Sequence, residues 1–206
     1  METTLTQPKA LAAHADATQG IAREEFDEIV RRHQQRIYRV LLGLLRDPDE
    51  ADALTQECFL RAYQSRKGFR GEASVGTWLV RIAVNLATDH ARNRRSSFWK
   101  RLLGGLKSEE PQAAGVAADL PDPRASPERQ LAVREELQAV WAVVDTLSPR
   151  QRAIFVLRFA EEMSLAEVAQ AMALEVGTVK SHLARALGAV RKRLKESGPH
   201  ARTSDR

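Results

Sequence analysis

The sequence predicts an all-α protein of two small helical domains joined by a flexible linker, the C-terminal domain containing a helix-turn-helix. Three observations lead there. Apolar residues recur at spacings of three and four within residues 26–94 and 137–194, and no stretch alternates at the period of a strand. From about Gly104 to Pro127 the chain has paired glycines, Pro111, Pro121, Pro123 and Pro127, many alanines and no helical period, a composition that suits a connection between domains. Aromatic residues make up only 5% of the 206, too few for a large β-sandwich. The expected plan is an N-terminal mobile tail over 1–20, a first domain over 21–96, a linker over 97–126, a second domain over 127–196 and a mobile tail over 197–206.

Each helix has a start signal or an apolar stripe. Phe26, Ile29, Val30, His33, Ile37, Val40, Leu41, Leu44 and Leu45 form one stripe and predict the first helix. Asp47-Pro48-Asp49-Glu50 opens the second, with Asp as N-cap, Pro at the first position and Glu three residues after the cap. It runs to about Ser65 with Ala51, Leu54, Cys58 and Ala62 in line, and Lys67-Gly68-Phe69-Arg70-Gly71 breaks it. A third, from about Thr77 to Arg94, turns Trp78, Leu79, Ile82, Ala83 and Leu86 inward. In the second half, Ser126-Pro127 opens a helix with Leu137, Val140, Trp141 and Val144 inside. Ser148-Pro149-Arg150-Gln151 caps the next through about Phe159, and Ser164-Leu165-Ala166-Glu167 is a capping box for a short one. The last spans about Val176 to Leu194.

Composition removes several function classes. There is one cysteine, Cys58, and the five histidines are scattered, so neither a disulfide framework nor a structural zinc site is expected. No phosphate-binding loop, metal-ligand cluster or nucleophile–base arrangement is present, so neither a cofactor nor an enzymatic role is expected. No apolar run is long enough to span a membrane and no secretory signal opens the chain; the expected location is the cytoplasm, without membrane insertion. The net charge of +5 is unevenly spread. Residues 69–101 and 146–206 each carry a net +5, and residues 102–136 between them are acidic. Two basic blocks suit two contacts with a polyanion, and equally two solvated faces of a basic protein.

Three constellations stand out. Residues 164–187 read as a short helix, a three-residue turn and a longer helix, locked by Val168, Ala169, Met172, Leu174, Val179 and Leu183. The outward face of the longer helix carries Glu175, Thr178, Lys180, Ser181, His182 and Arg185. Such a helix fits the major groove, with Lys180, Arg185, Arg191, Lys192, Arg193 and Lys195 able to neutralise phosphates. Arg81, Asn85, Asp89 and Arg92 form a stripe on the third helix, followed by Arg94 and Arg95. Spacing alone allows an intrahelical network or a surface that reads exposed bases, and Phe69 can stack on a base or close the core. Asp52, Gln56, Glu57 and Arg61 mark the outward face of the second helix, a pattern that ordinarily meets water.

The order of these pieces resembles the extracytoplasmic-function sigma factors of the sigma-70 family. The likeness rests on DPDEADALTQECFLRAYQ, then FRGEASVGTWLVRIAVNLATDHARNRR, then LSPRQRAIFVLRFAEEMSLAEVAQAMALEVGTVKSHLARALGAVRKRL. It implies a factor that binds core RNA polymerase (β′ clamp helices and β subunit), directs it to promoter DNA and helps initiate transcription. On that resemblance Asp52, Gln56, Glu57 and Arg61 meet polymerase. Phe69, Arg81, Asn85, Asp89, Arg92, Arg94 and Arg95 read the minus-ten element and capture an unstacked base. Glu175, Thr178, Lys180, Ser181, His182 and Arg185 read the minus-thirty-five element. An anti-sigma factor is the further partner it implies. Several positions depart from the family pattern: Ala53 for an acid, Val75-Gly76 for an aromatic, Ala173 for glycine in the turn, Glu175 for Ser or Pro, and His182 for Arg. The reading from a different class is a stand-alone helix-turn-helix regulator that binds operator DNA as a dimer.

Overall fold

The computed structural model describes residues 20–103 and 126–197, the side chains of 95–103, 127, 132, 136 and 194–197 excepted. Seven α-helices follow in order: α1 Arg23–Leu45, α2 Pro48–Ser65, α3 Val75–Leu103, α4 Pro127–Thr146, α5 Pro149–Phe155, α6 Leu165–Met172 and α7 Val176–Ser197. No strand occurs among the described residues. The expected tails and most of the expected linker (1–19, 104–125 and 198–206) lie outside them, as do the side chains of the apolar cluster Phe98, Trp99, Leu102 and Leu103; Leu106 lies outside altogether.

The start signals do what their chemistry predicts. Asp47 Oδ1 accepts from the Asp49 and Glu50 amides at 3.0 and 3.1 Å, satisfying two donors that the first turn of α2 would leave unpaired. Ser148–Gln151 and Ser164–Glu167 form reciprocal capping boxes on α5 and α6. Ser74 caps α3, accepting from the Thr77 amide at 3.1 Å, so that helix begins at Val75, two residues before the expected start. At its other end α3 runs to Leu103, nine residues past the expected Arg94.

The first unit is a three-helix cluster. Phe26, Ile37, Val40, Leu41 and Leu44 of α1 meet Ala51, Cys58, Phe59 and Ala62 of α2 and Leu79, Val80, Ala83 and Leu86 of α3. Burial pushes the Cys58 thiol up to about 12, and its Sγ lies 3.6 Å from the Leu79 carbonyl, so it behaves as a small apolar residue. Ahead of α1, Gly20 crosses the Arg66–Gly68 turn so closely that a Cβ would stand 2.5 Å from Lys67 Cα. The Ile21 amide donates to the Arg66 carbonyl at 3.0 Å, pinning that turn.

The second unit brings α4 and α5 onto α7, with α6 beside it. Where a helix was expected to continue to Phe159, α5 ends at Phe155 and the chain widens into a π-turn over Val156–Ala160. The Glu161 amide reaches back to the Val156 carbonyl at 3.2 Å, and Met163 to Leu157 at 3.0 Å across Glu162 at φ 55°. The two units are not apart. Ala153, Ile154, Val156, Leu157, Val168 and Val179 belong to the same continuous core as α1–α3, and α3 packs against α6 as well as α1 and α2. That second partner explains Val80, Val84 and Ala87, buried in addition to the stripe expected on α3.

Two tests follow from the short helices. Ala173 closes α6 at φ 51°, ψ 49°, with Leu174 donating to Ala169 at 2.9 Å, a left-handed cap that glycine adopts without Cβ strain. Ala173→Gly is therefore expected to raise stability by about 1 kcal/mol, read from the urea midpoint at constant m-value; an unchanged midpoint would show the cap unstrained. Hydrogen bonds from Ser164 hold the Glu167 carboxyl below its ordinary value. Its stabilising contribution is present above the unfolded value and lost as pH falls through the lowered folded one. An NMR titration is expected to find this low midpoint, and Ser164→Ala to move it part of the way back.

Candidate nucleic-acid interface

Three surfaces carry the residues singled out in the sequence. The first surrounds the connection from α2 to α3. Arg66 stacks over the Tyr63 ring at 3.8 Å and donates to its carbonyl at 2.6 Å, Gly71 turns at φ 69°, and Phe69 lies against Trp78 with ring centroids 5.0 Å apart. Phe69 is half-buried, so it serves the packing while keeping an edge on the cavity beside it. That cavity, about 270 Å³, is bounded by Phe69, Arg70, Trp78 and Arg81 and, from the second unit, Gln170. It is at the small end of ligand-sized pockets and matches one flat ring with polar edges.

Along α3, Arg81, Asn85 and Arg92 are exposed and Asp89 is half-exposed, so the expected stripe exists as one outward face. Asp89 pairs with Arg92 at 2.9 Å, which leaves Arg81 and Asn85 as the ready polar groups beside the cavity. Arg94 turns elsewhere. Its Nη1 lies 3.0 and 2.9 Å from the two Glu50 oxygens, and His90 Nδ1 lies 3.6 Å from the same carboxylate. Arg94 thus ties α3 to the first turn of α2 in this structure. The Arg95 side chain is outside the described residues.

The second surface is the outer face of α2. Gln56 donates to Asp52 at 3.0 Å and Arg61 pairs with Glu57 at 2.7 Å, both one helical turn apart. Sequence reasoning missed Leu60, which sits among them 52% exposed. Its signal was available: a leucine one turn beyond Gln56, off the line of Ala51, Cys58 and Ala62. An apolar side chain ringed by polar groups is how a protein-docking patch is built.

The third surface is the α6–α7 pair. The Ala173 cap sets the angle between the helices, and Val168 and Val179 are buried where they meet. Glu175, Lys180, Ser181 and Arg185 are exposed along α7, as are Arg191, Lys192 and Arg193 near its end. Ser181 Oγ donates back to the Gly177 carbonyl at 3.0 Å. Thr178 and His182 are only half-exposed, and His182 Nδ1 is buried without a hydrogen-bond partner. Those two residues shape the helix's flank more than its crest. No group of His, Cys, Asp and Glu that could hold a metal ion exists among the described residues.

Comparison with known proteins agrees with this geometry. The Sigma-70 region 2 family matches residues 29–97, and the Sigma-70 region 4 family matches residues 137–190. The chain is 34% identical over 172 residues to the RNA polymerase sigma-H factor of Pseudomonas aeruginosa, covering 82% of this chain and 86% of that protein. It is 32% identical over 183 residues to an RNA polymerase sigma-E factor of Streptomyces antibioticus, covering 88% and 91%. It is 30% identical over 168 residues to the ECF RNA polymerase sigma-E factor of Escherichia coli K12, covering 80% and 84%. The fold is similar to the sigma factor RpoE of Bartonella quintana, solved with the anti-sigma factor NepR, at a TM-score of 0.61 and 21% identity over 89% of this chain and 99% of that one. It is also similar to CnrH, solved with the cytosolic domain of CnrY, at a TM-score of 0.58 and 20% identity over 86% and 92%. With both helical units matched in order, the chain belongs to the sigma-70 family as an extracytoplasmic-function sigma factor of RNA polymerase.

Proposed function

We propose that this sigma factor docks on core RNA polymerase through the outer face of α2, reads the minus-ten element with the α2–α3 connection and α3, and reads the minus-thirty-five element with α7. The working units are residues 21–96 and 127–196, with 97–126 joining them. The observation that carries the reading is the pairing of two unlike polar surfaces on one chain. One is a ring-lined cavity with an Arg/Asn stripe, suited to an unstacked base; the other is a capped helix pair with a basic crest, suited to duplex DNA.

Each residue then has a job. Leu60, with Asp52, Gln56, Glu57 and Arg61 around it, gives α2 an apolar centre and a polar rim for the polymerase. Phe69 and Trp78 offer ring faces, Arg81 and Asn85 offer donors to a base edge, and Arg92 is exchanged from Asp89 to a phosphate. Arg94 and Arg95 add charge once the DNA competes for Glu50. Glu175, Thr178, Lys180, Ser181, His182 and Arg185 lie along the groove, Lys180 and Arg185 taking phosphates. Joining two modest DNA contacts through one chain raises the effective concentration of the second once the first is made.

The protein acts by binding and carries out no chemistry of its own. We place it in the cytoplasm; no helix among the described residues is long and apolar enough to cross a membrane. Solved relatives are held by anti-sigma factors, and an inhibitor of that kind is the third partner proposed here.

Gel filtration with bacterial core polymerase, followed by transcription from a random-promoter library, tests the whole reading. Co-elution and initiation at promoters sharing two spaced elements are expected. A dimer that binds palindromic duplex DNA and never joins polymerase would overturn it in favour of a stand-alone regulator. Arg92→Ala is expected to reduce promoter opening more than closed-complex formation, and equal losses would remove that residue from base capture. Lys180→Ala and Arg185→Ala should each weaken upstream-element binding and lower the salt slope by about one; an unchanged footprint and slope would remove α7 from the groove.

A further inference from the structure

We infer that the free chain is held shut by a latch between α1 and the second unit, and that this latch must open before both DNA-reading surfaces can be used together. The inference rests on the promoter reading above for its consequence, but the latch itself is argued from contacts between the units.

The seam is built from specific parts. The π-turn delivers Glu161 between Arg36 and Arg39 of α1, at 3.1 and 3.3 Å, with its side chain only 3% exposed. Arg152 of α5 donates to the Leu44 carbonyl of α1 at 3.2 Å, and to the Val144 and Asp145 carbonyls at the end of α4 at 3.3 and 2.5 Å. Those oxygens lie in the last turns of two helices, where no intrahelical partner is available, and one guanidinium serves both ends. Two glycines make room. A Cβ on Gly43, inside α1, would stand 2.9 Å from Val156 Cγ1, and one on Gly76 would stand 3.1 Å from Arg36 Nη1. Glycine is a poor residue for a helix interior, so its presence at Gly43 is explained by the close approach of the second unit.

The latch closes over the base-reading surface. Gln170 of α6 donates to the Glu72 carbonyl at 2.7 Å and forms part of the wall of the cavity beside Phe69, Trp78 and Arg81. Because α6 is joined to α7 through the Ala173 turn, the duplex-reading helix is held beside the first unit. Elements at minus ten and minus thirty-five are about 25 base pairs apart, roughly 85 Å along the duplex at about 3.4 Å per pair. The 22 residues of α7 extend only about 33 Å at 1.5 Å per residue. With α6 in hydrogen-bond contact with the α2–α3 connection, the closed chain does not reach both elements.

The seam is also built to release. Arg46, at φ 61° and 8% exposed, lies 4.5 Å from the Trp141 ring and 3.5 Å from Asp145. Its Nε and Nη1, and Asp145 Oδ1, are buried without a hydrogen bond. Burial lowers the Arg46 pKa, against the opposing pull of Asp145. A cavity of about 280 Å³ stays open between Leu44, Ala91, Leu147 and Arg152. Opening would hydrate these polar groups and lose little packing around that void.

The test uses the full chain with spin labels at Gln34→Cys and Ala184→Cys, both exposed, on α1 and α7; buried Cys58 stays unlabelled. Pulsed electron-spin distances in the free protein are expected to be short and narrowly distributed. Gly43→Leu, which wedges against Val156 and favours helix, should lengthen and broaden them with helical content unchanged. Glu161→Ala should do the same by removing the ion pair. Both variants should also raise the apparent affinity for core polymerase severalfold, since the competent fraction rises. A free protein that already shows long, broad distances unaffected by Gly43→Leu would overturn the latch. A chain that is closed, opens with either substitution and yet never binds polymerase would support the latch and overturn the sigma reading, so the two failures are separable.

Discussion

Arg152 satisfies three carbonyl oxygens at once, on Leu44, Val144 and Asp145, and the joint between the two helical units is organised around it. Helix ends are where backbone groups lack partners, and burying two of them side by side would leave several carbonyls facing nothing. A single guanidinium, with donors fixed in one plane, meets both ends where a flexible ammonium would not hold them in register. Around that point the apolar residues close up: Val156 against Gly43, Ile154 and Leu157 into the core of the first unit. The π-turn then follows as a consequence of direction. Widening the helix after Phe155 swings Glu161 toward Arg36 and Arg39, whereas a regular α5 would have carried the chain onward.

Function is assigned to what this packing leaves outside. On α2 the buried line of Ala51, Cys58 and Ala62 leaves Asp52, Gln56, Leu60 and Arg61 exposed. On α3, partners on more than one side narrow the solvent-facing strip to Arg81, Asn85, Asp89 and Arg92, and Phe69 with Trp78 forms its upper end. On α7 the burial of Val179 and Ala186 leaves Lys180, Ser181 and Arg185 outside. Charge alone could not have ranked these surfaces, because Arg94 carries the same charge as Arg92 and spends it on Glu50.

What the sequence made legible was local. Asp47-Pro48, Ser148-Pro149 and Ser164 with Glu167 announce helix starts because the capping atoms lie within three residues of the amides they serve. The stripes of α1 and α7 are equally local. What stayed hidden depends on partners far along the chain. The early end expected for α3 followed from a run of arginines and serines after Ala91 with no apolar stripe, yet the helix continues. The π-turn has no sequence signature; its geometry is coupled to an ion pair spanning more than a hundred residues. His182 looked like a crest residue by spacing, but its half-burial depends on which part of the molecule lies beside α7. The three surfaces were found by pattern, while Leu60, Gln170 and the covering of one surface by the other unit were not.

The departures from the family pattern take on a different meaning once the seam is known. Val75-Gly76 replaces an aromatic where the family often has one, which reads in the sequence as a change in the base pocket. In the structure Gly76 is buried under Arg36, and a Cβ there would meet the guanidinium at 3.1 Å. Arg36 reaches Glu161 by crossing that glycine. An aromatic side chain in its place would collide with the arginine and disturb one half of the ion pair. The same position therefore answers to two demands, the form of the pocket and the fit of the second unit. Burying one carboxylate between two arginines is costly unless all three are held in place, and an imperfect hold leaves a charge without its partner. Glycine at 76 removes the obstacle to that hold. The buried, unpaired donors of Arg46 beside Trp141 pull the other way, at a cost of about 1–3 kcal/mol for each unsatisfied group. A joint containing both features is firm in geometry and modest in net stability, as a contact that must form and separate repeatedly requires.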